Sequence, residues 1–252
     1  MSRRMAGRAV ATLVAAVLGA VLLSGSDQPV TAHAYARWQE VAAPPFSPRT
    51  HALGVRVGSR VLVLGGRADD GSVLRDGAAY ELHSGRWQPL AVPFAVTDDT
   101  PAVSAGGAVV VRAGAGTWWR YDVRPGVWSR MSGLPIGVSA PSSFGSEVYA
   151  LAGGRVVVYS VQLDRWTPLP PDRLRPRLTG GAVAASRAGT VVTGYAGPSH
   201  RRVADRWDGL HWHRTRARAA LPVRAPGDGA TRIEVDGRIF LVRGGRAWIR
   251  LR

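Results

Sequence analysis

A tryptophan that returns at nearly regular intervals is the strongest constraint on this chain. It stands at five positions, spaced by 49, 41, 38 and 46 residues: Trp38, Trp87, Trp128, Trp166 and Trp212. Three of the copies lie in closely similar segments, which are RWQEV at 37–41, RWQPL at 86–90 and RWTPL at 165–169. Self-similarity at a period of about 20–50 residues indicates a fold built from stacked copies of one supersecondary unit. The sequence therefore predicts a repeat protein.

Two further features recur upstream of the tryptophans. A tyrosine stands seven residues before three of them, at Tyr80, Tyr121 and Tyr159. Further upstream, a short valine-rich run closes on a glycine pair, at Gly65–Gly66, Gly153–Gly154 and Gly244–Gly245. Short β-branched runs bounded by glycine are typical of strands, and glycine permits a sharp turn where a side chain would collide. Each unit is therefore predicted to consist of short strands joined by tight turns.

This order of a glycine-ended strand, a tyrosine strand and a tryptophan strand resembles the kelch repeat. The segment Pro48–His51 is also similar to the proline-arginine opening common in that family, and the resemblance covers residues 35–252. It implies an all-β fold, a β-propeller of four-stranded antiparallel blades. Neighbouring blades would stack face to face, with tryptophan and tyrosine supplying the apolar area between them. We therefore expect these aromatic residues to be structural and not ligand-binding.

A count of strands predicts five blades. The last unit supplies three strands, Ala230–Val235, Arg238–Val242 and Ala247–Leu251, with no tryptophan strand after them. The chain begins with a tryptophan strand that lacks a partner, Arg37–Val41. We expect this first strand to complete the last blade, which would close the ring and leave no exposed edges. Kelch propellers usually have six or seven blades, so five would depart from the family's pattern.

Residues 1–34 have the layout of a secretory signal peptide. A basic start precedes an apolar run over residues 9–23, and Ala32 and Ala34 fit the A-x-A cleavage rule, so the mature chain would begin at Tyr35. Cleavage after Ala36 also satisfies the rule. The alternative is an uncleaved anchor, but 15 apolar residues are fewer than the roughly 20 that span a bilayer. We expect export by the general secretory route, a secreted or cell-envelope location, and no membrane span once the signal is removed.

Composition narrows the chemistry. The absence of cysteine excludes disulfides, thiolate nucleophiles and cysteine-ligated metals, and with them the copper radical site of galactose oxidase, a kelch-like enzyme that needs a cysteine bonded to tyrosine. A net charge of +16 favours polyanions in general, but all 33 basic residues are arginines dispersed along the repeats. That pattern fits a GC-rich coding bias and predicts no specific nucleic-acid partner. We expect no cofactor.

Arginines in the loops are the first candidates for a ligand site. If these loops share one face, several guanidinium groups would surround the propeller axis and suit a carboxylate, sulfate or phosphate. The candidates are Arg49, Arg67, Arg155, Arg177 and Arg224. The alternative is a set of solvated loop charges in an arginine-rich protein.

Acidic pairs and two histidines are further candidates. Asp98 and Asp99 lie between the first and second units and could hold calcium or transfer protons, although acidic residues in turns are commonly turn formers. Asp69–Asp70 has the same two explanations. His211 and His213 alternate on one predicted strand, but no third and fourth metal ligand stands at matching spacing, so we expect no metal site.

No catalytic constellation is assembled in the sequence. We therefore expect a non-enzymatic binding module, a monomer that presents its loops to a protein or to an anionic glycan of the cell envelope. The alternative is a sugar-active enzyme. It would resemble the exported sialic-acid mutarotases and act on an acidic sugar held by arginines at the axis.

Overall fold

Short runs of valine, leucine and alanine, separated by glycine-containing turns, form β-strands throughout the described chain. The computed structural model describes residues 38–114, 116–131, 141–172, 178–196, 201–215, 231–235, 238–243 and 245–250. Within these ranges every regular element is a strand, and all belong to one compact unit, Ala36–Arg252. Among these residues no helix is long and apolar enough to cross a membrane. The predicted signal peptide, residues 1–34, lies outside the described residues.

In the part of the chain that the structure describes, twenty strands form five antiparallel sheets of four strands each. The strand β1 (Trp38–Val41) opens the described chain, and the next sixteen strands form four sheets in succession. The first sheet contains β2 (Leu53–Val57), β3 (Arg60–Leu64), β4 (Asp76–Glu81) and β5 (Arg86–Ala91); the second contains β6 (Ala102–Ala105), β7 (Ala108–Ala113), β8 (Thr117–Asp122) and β9 (Val127–Arg130). The third contains β10 (Ser142–Phe144), β11 (Glu147–Ala152), β12 (Arg155–Ser160) and β13 (Arg165–Pro168); the fourth contains β14 (Leu178–Ser186), β15 (Gly189–Ala196), β16 (Arg201–Trp207) and β17 (Trp212–Thr215).

The fifth sheet joins the two ends of the described chain. It contains β18 (Thr231–Val235), β19 (Arg238–Arg243) and β20 (Arg246–Arg250), with β1 alongside β20. The antiparallel register places Trp38 opposite Arg250. Arg246 on β20 donates to both carboxylate oxygens of Glu40 on β1, at 2.7 and 2.6 Å. The first described strand is therefore hydrogen-bonded into the last sheet.

Each sequence repeat corresponds to one sheet. The valine-rich run is the second strand, the tyrosine lies on the third and the tryptophan on the fourth. Across the third and fourth strands the rings pack at centroid separations of 5.0, 4.9 and 5.1 Å, for Tyr80–Trp87, Tyr121–Trp128 and Tyr159–Trp166. Such pairs contribute about 0.5–1.5 kcal/mol each beyond their buried area. The prediction of an all-β chain built from four-stranded antiparallel sheets is confirmed.

The aromatic pair changes in the last two sheets. In the fourth sheet, Trp207 takes the place of the tyrosine and lies opposite Trp212, with the ring centroids 5.4 Å apart. In the fifth sheet, the residue opposite Trp38 is Arg250, and Trp38 is 46% exposed. Trp38 therefore departs from the expectation of a structural core position, while the other four repeat tryptophans are partly buried against hydrophobic clusters.

Neighbouring sheets pack through apolar faces. Between the first and second sheets, Leu62 and Leu64 of β3 belong to the same buried cluster as Val109 and Val111 of β7. The first strands of the sheets contact one another in the series β18, β2, β6, β10 and β14. This series of stacked sheets is consistent with a β-propeller, whose blades surround a central channel.

Glycine pairs that look alike in the sequence form different turns. Gly153 and Gly154 are the two-residue turn between β11 and β12, with φ of 55° and 79°, as a type I′ hairpin requires. Gly65, with φ of 58°, instead opens a long loop, and a Cβ atom there would lie 2.3 Å from the carbonyl oxygen of Val96. Gly66 has φ of 96° and Gly245 of 76°, whereas Gly244 lies outside the described residues.

Candidate functional site

An arginine joins the first sheet to the second. Arg60 lies opposite Glu81, and its Nε donates to the Glu81 carboxylate at 3.1 Å. Its Nη1 donates to the carbonyl oxygen of Val123 at 3.1 Å, in the turn between β8 and β9. Paired charge therefore fills this end of the interface.

A second arginine joins the second sheet to the third in the same manner. Arg120 on β8 donates from Nε to Asp122 at 2.8 Å. Its Nη1 donates to the carbonyl oxygen of Val161 at 2.8 Å and to the Tyr159 hydroxyl at 3.2 Å. Because Val161 begins the turn between β12 and β13, the two arginines bind equivalent turns of successive sheets.

The third sheet has no arginine at either of these positions. The strand register puts Glu147 where Arg60 stands in the first sheet and Val158 where Arg120 stands in the second. Ser160 replaces the carboxylates of Glu81 and Asp122. A cleft of about 560 Å³ opens here between the third and fourth sheets. We attribute the cleft to the absence of an arginine that joins the two sheets, because the side chains of Val158 and Ser160 are too short to cross the interface.

The cleft combines exposed apolar groups with hydroxyls and charges. Its apolar lining includes Trp207 and the side chains of Phe144 and Leu163, which are 46% and 68% exposed. Its polar lining residues include five with a hydroxyl group and three with a charged group: Tyr149, Ser160, Thr167, Ser186 and Thr190, and Glu147, Arg187 and Asp208. Apolar walls with a few convergent polar groups are typical of small-ligand pockets, which commonly enclose ~300–1,000 Å³.

Tyr149 and Glu147 form a hydrogen-bonded pair in the cleft. They stand two residues apart on β11 and therefore face the same side of the sheet. The Tyr149 hydroxyl donates to Oε2 of Glu147, and the Thr190 side chain also hydrogen-bonds Tyr149. Burial, with a further contribution from Glu147, raises the pKa of Tyr149 to about 12. Tyr149 therefore remains a protonated donor at neutral pH and holds the Glu147 carboxylate in place.

The Asp208 carboxylate is satisfied by its own turn. Its Oδ1 accepts the backbone N–H groups of Leu210 and His211, both at 2.8 Å, and its Oδ2 lies 2.6 Å from Nε2 of His213. These hydrogen bonds hold the pKa of Asp208 well below its ordinary value, and the bond from the His211 N–H contributes most. His213 thus contacts a carboxylate, and within the described ranges no group of three or more His, Cys, Asp or Glu residues could hold a metal ion.

Arg49, the first of the predicted ligand-binding arginines, is engaged inside the fold. Its side chain is 1% exposed, and its two Nη atoms donate to the two carboxylate oxygens of Asp76 at 2.8 and 2.9 Å. It also donates to the carbonyl oxygens of Gly65 at 3.0 Å and Ser47 at 3.1 Å, and its guanidinium lies 4.0 Å from the ring centroid of Phe46. These contacts explain Arg49 without a ligand.

Arg67 and Arg155, the other two predicted arginines that the structure describes, do not line the cleft. Arg155 is exposed and opens β12, whereas the cleft residue Ser160 closes that strand at its opposite end. Arg67 is exposed in the corresponding loop of the first sheet, where its Nη1 donates to the carbonyl oxygen of Gly71 at 3.2 Å. Arg177 and Arg224 lie outside the described residues.

The predicted acidic pairs lie in exposed turns. Asp98 accepts from Nδ1 of His51 at 3.2 Å when that nitrogen is protonated, and Asp99 accepts from the Thr97 hydroxyl. Asp70 accepts the backbone N–H of Ser72 at 2.9 Å. Carboxylates that bind a backbone or hydroxyl group two residues away are typical turn formers.

Sequence reasoning missed the cleft, although two signals were present. One is the glutamate at the start of a valine-rich run, Glu147, where the first repeat has Arg60. The other is Trp207, five residues before Trp212, in a repeat that lacks the tyrosine found seven residues before the tryptophan in three others. Both become informative only when the strands are in register.

Comparisons with known proteins place no constraint on this site. The chain matches no model of a known protein family, and a search of curated proteins finds no match either.

Proposed function

We propose that the chain is an exported β-propeller of the kelch type that binds a glycan of the cell envelope in the cleft between its third and fourth sheets, without catalysing a reaction. The observation that carries the proposal is the cleft itself. It places exposed apolar side chains beside residues with hydroxyl and carboxylate groups, at an interface where neither of the two bridging arginines is present. Sugars present apolar C–H faces and a rim of hydroxyls, which such a lining complements.

Two observations support a closed ring of five blades as part of this proposal. The pairing of β1 with β20 ties the start of the described chain to its end. The first strands meet in the series from β18 to β14, so a single further contact, between β14 and β18, would complete a five-bladed ring. Small-angle X-ray scattering tests this step, because a closed ring gives a compact disc and an open series of five sheets gives an extended arc.

An acidic ligand is a poorer fit to the cleft. The enzyme alternative needs several arginines around a sugar carboxylate, and Arg49 is held internally by Asp76. The cleft instead carries the Glu147 carboxylate, whose charge opposes that of an acidic sugar, and of the arginines only Arg187 is among its described lining residues. We therefore keep the binding function, with a glycan that is not acidic in place of the anionic glycan expected from the sequence, and do not develop the mutarotase-like alternative.

Thermal unfolding in the presence of glycans tests the proposed function. A ligand that binds only the folded state raises Tm. When the free ligand concentration is one hundred times Kd, the folded state is stabilised by about 2.7 kcal/mol. We expect a rise with at least one neutral or amino-bearing oligosaccharide and none with an acidic one. If only an envelope protein raises Tm, the glycan proposal is wrong and the cleft is a protein-binding site.

A pair of matched variants locates the binding. Thr167 is exposed and lines the cleft opposite Val158, and Ser129 is its exposed counterpart in the second sheet, opposite Arg120. Thr167→Arg should abolish the ligand-induced rise in Tm, while Ser129→Arg should leave it intact. Equal effects of the two variants would contradict the assignment to the cleft.

Export is tested by N-terminal sequencing of the protein recovered outside the cytoplasm. We expect cleavage after Ala34, to within about two residues, so that the exported chain begins at or near Tyr35. An intact N-terminus would show that the segment is retained as an anchor.

A further inference from the structure

The charged residues that line the cleft differ in how far other groups compensate their charges. The Asp208 carboxylate is bound by two backbone N–H groups and by His213. Arg187 is exposed in the two-residue turn between β14 and β15. Glu147 accepts one hydrogen bond, from the neutral Tyr149 hydroxyl, and among the described residues no basic side chain forms an ion pair with it. Glu147 therefore carries the uncompensated negative charge of the cleft.

The neighbouring interfaces show how an acid near this sheet edge is balanced elsewhere in the molecule. Glu81 is paired with Arg60 at 3.1 Å, and Asp122 is paired with Arg120 at 2.7 Å. Each acid near the sheet edge thus has a cation directly against it. A carboxylate removed from water by a ligand needs such a partner, because a buried unpaired charge is costly. In the third sheet the acid, Glu147, stands at the position of Arg60 itself, and the cleft beside it leaves space for a cation.

We propose that the cleft recognises an amino group of its ligand, and that the ligand is a glycan containing hexosamine with free, protonated amines. This inference rests on the proposed function of the cleft. The ligand ammonium lies in the cleft against the Glu147 carboxylate and donates to it, as the guanidinium groups of Arg60 and Arg120 donate to their own carboxylates. The sugar ring lies beside Trp207 and Leu163, and the side chains of Ser160 and Thr167 can hydrogen-bond the hydroxyl groups of the sugar.

The chemistry of the lining separates this ligand from its close relatives. An N-acetylated hexosamine has the same ring but no positive charge, so it would leave Glu147 without a counter-ion. A uronic acid would bring a further negative charge towards the Glu147 carboxylate. A neutral oligosaccharide would keep the ring contacts and lose only the ion pair.

Isothermal titration of the purified protein with glucosamine trisaccharide and with its N-acetylated form tests the proposal. A hydrogen bond to a charged group is worth roughly 10–100-fold in affinity. We expect the free amine form to bind about tenfold or more tightly than the acetylated form. Glu147→Gln should abolish that preference without lowering Tm, and Tyr149→Phe should reduce it because Glu147 loses its positioning donor.

The control is a matched loss of one negative charge elsewhere. Glu40 forms an exposed ion pair with Arg246 in the fifth sheet, and Glu40→Gln should leave the preference unchanged. Equal binding of the two trisaccharides, with both lost in Thr167→Arg, would overturn the amine inference and leave the glycan function standing. Binding of the amine form that survives Thr167→Arg would overturn it too, because it would lie outside the cleft. No binding of any glycan would refute both proposals.

Discussion

Arg49→Met replaces a buried guanidinium by an apolar side chain of similar length. The change removes the bidentate pair with Asp76 and the donor to the Gly65 carbonyl, while the methionine can still pack on Phe46. Hydrogen bonds to charged groups are worth about 1.5–3 kcal/mol, and an unsatisfied buried carbonyl costs ~1–3 kcal/mol. Relief of the guanidinium's desolvation offsets part of this loss, and Asp76, half exposed, regains water. We expect a net destabilisation of ~3 kcal/mol.

Thermal unfolding followed by circular dichroism measures this loss. In a domain of this size about 1 kcal/mol corresponds to ~3 °C, so Tm should fall by about 9 °C. The matched control is Arg67→Met, which removes an exposed arginine with one local contact and should shift Tm by less than about 2 °C. A shift of Arg49→Met no larger than that of its control would refute the structural assignment and return Arg49 to the set of ligand-binding candidates.

The remaining predictions concern glycines, pH and tyrosines. Gly65→Ala should be much more destabilising than Gly153→Ala in urea unfolding: both residues have positive φ, but only at Gly65 does the added Cβ collide with the Val96 backbone. Hydrogen bonds from Arg49 hold the pKa of Asp76 below its ordinary value, so the pair stabilises the fold above about pH 4 and its contribution is lost as pH falls through the lower folded value. The Tm difference between the native chain and Asp76→Asn should therefore narrow in acid; a constant difference would contradict the pairing. Burial first, then a neighbouring carboxylate, raises the pKa of Tyr149 and of Tyr159 to about 12, so stability should decline as pH rises from about 10 towards that value. Burial also raises the pKa of Tyr80 and of Tyr121, so ultraviolet titration should show several phenols that ionise late, with one fewer in Tyr149→Phe.

Most of the fold could be predicted from the sequence repeats. The tryptophan and tyrosine positions identify the third and fourth strands of the first three sheets, because a strand pair with a four-residue turn fixes their spacing at seven residues. The fourth sheet does not have this seven-residue spacing between its aromatic residues. Its pairing puts Trp207 directly before the turn, so the aromatic pair is five residues apart.

The site was harder to predict than the fold. Arg49 looks like any loop arginine in the sequence, and only the approach of Asp76, 27 residues later, shows that it is internal. The cleft depends on which residues of two sheets face one another, and no local pattern encodes that relation. Glu147, Val158 and Ser160 become neighbours only through the β11–β12 register and the packing of the fourth sheet against it.

Two-dimensional NMR of the purified protein, titrated with glucosamine trisaccharide, tests the central claim most directly. The indole N–H signals of the nine tryptophans report on separate parts of the molecule. We expect the Trp207 signal to shift, together with the backbone signals of Glu147 and Thr167. Trp87, whose Nε1 donates to the Ala42 carbonyl oxygen at 2.7 Å in another interface, should stay fixed. Shifts grouped instead around Arg67 and Arg155, at the opposite strand ends, would contradict the cleft as the binding site.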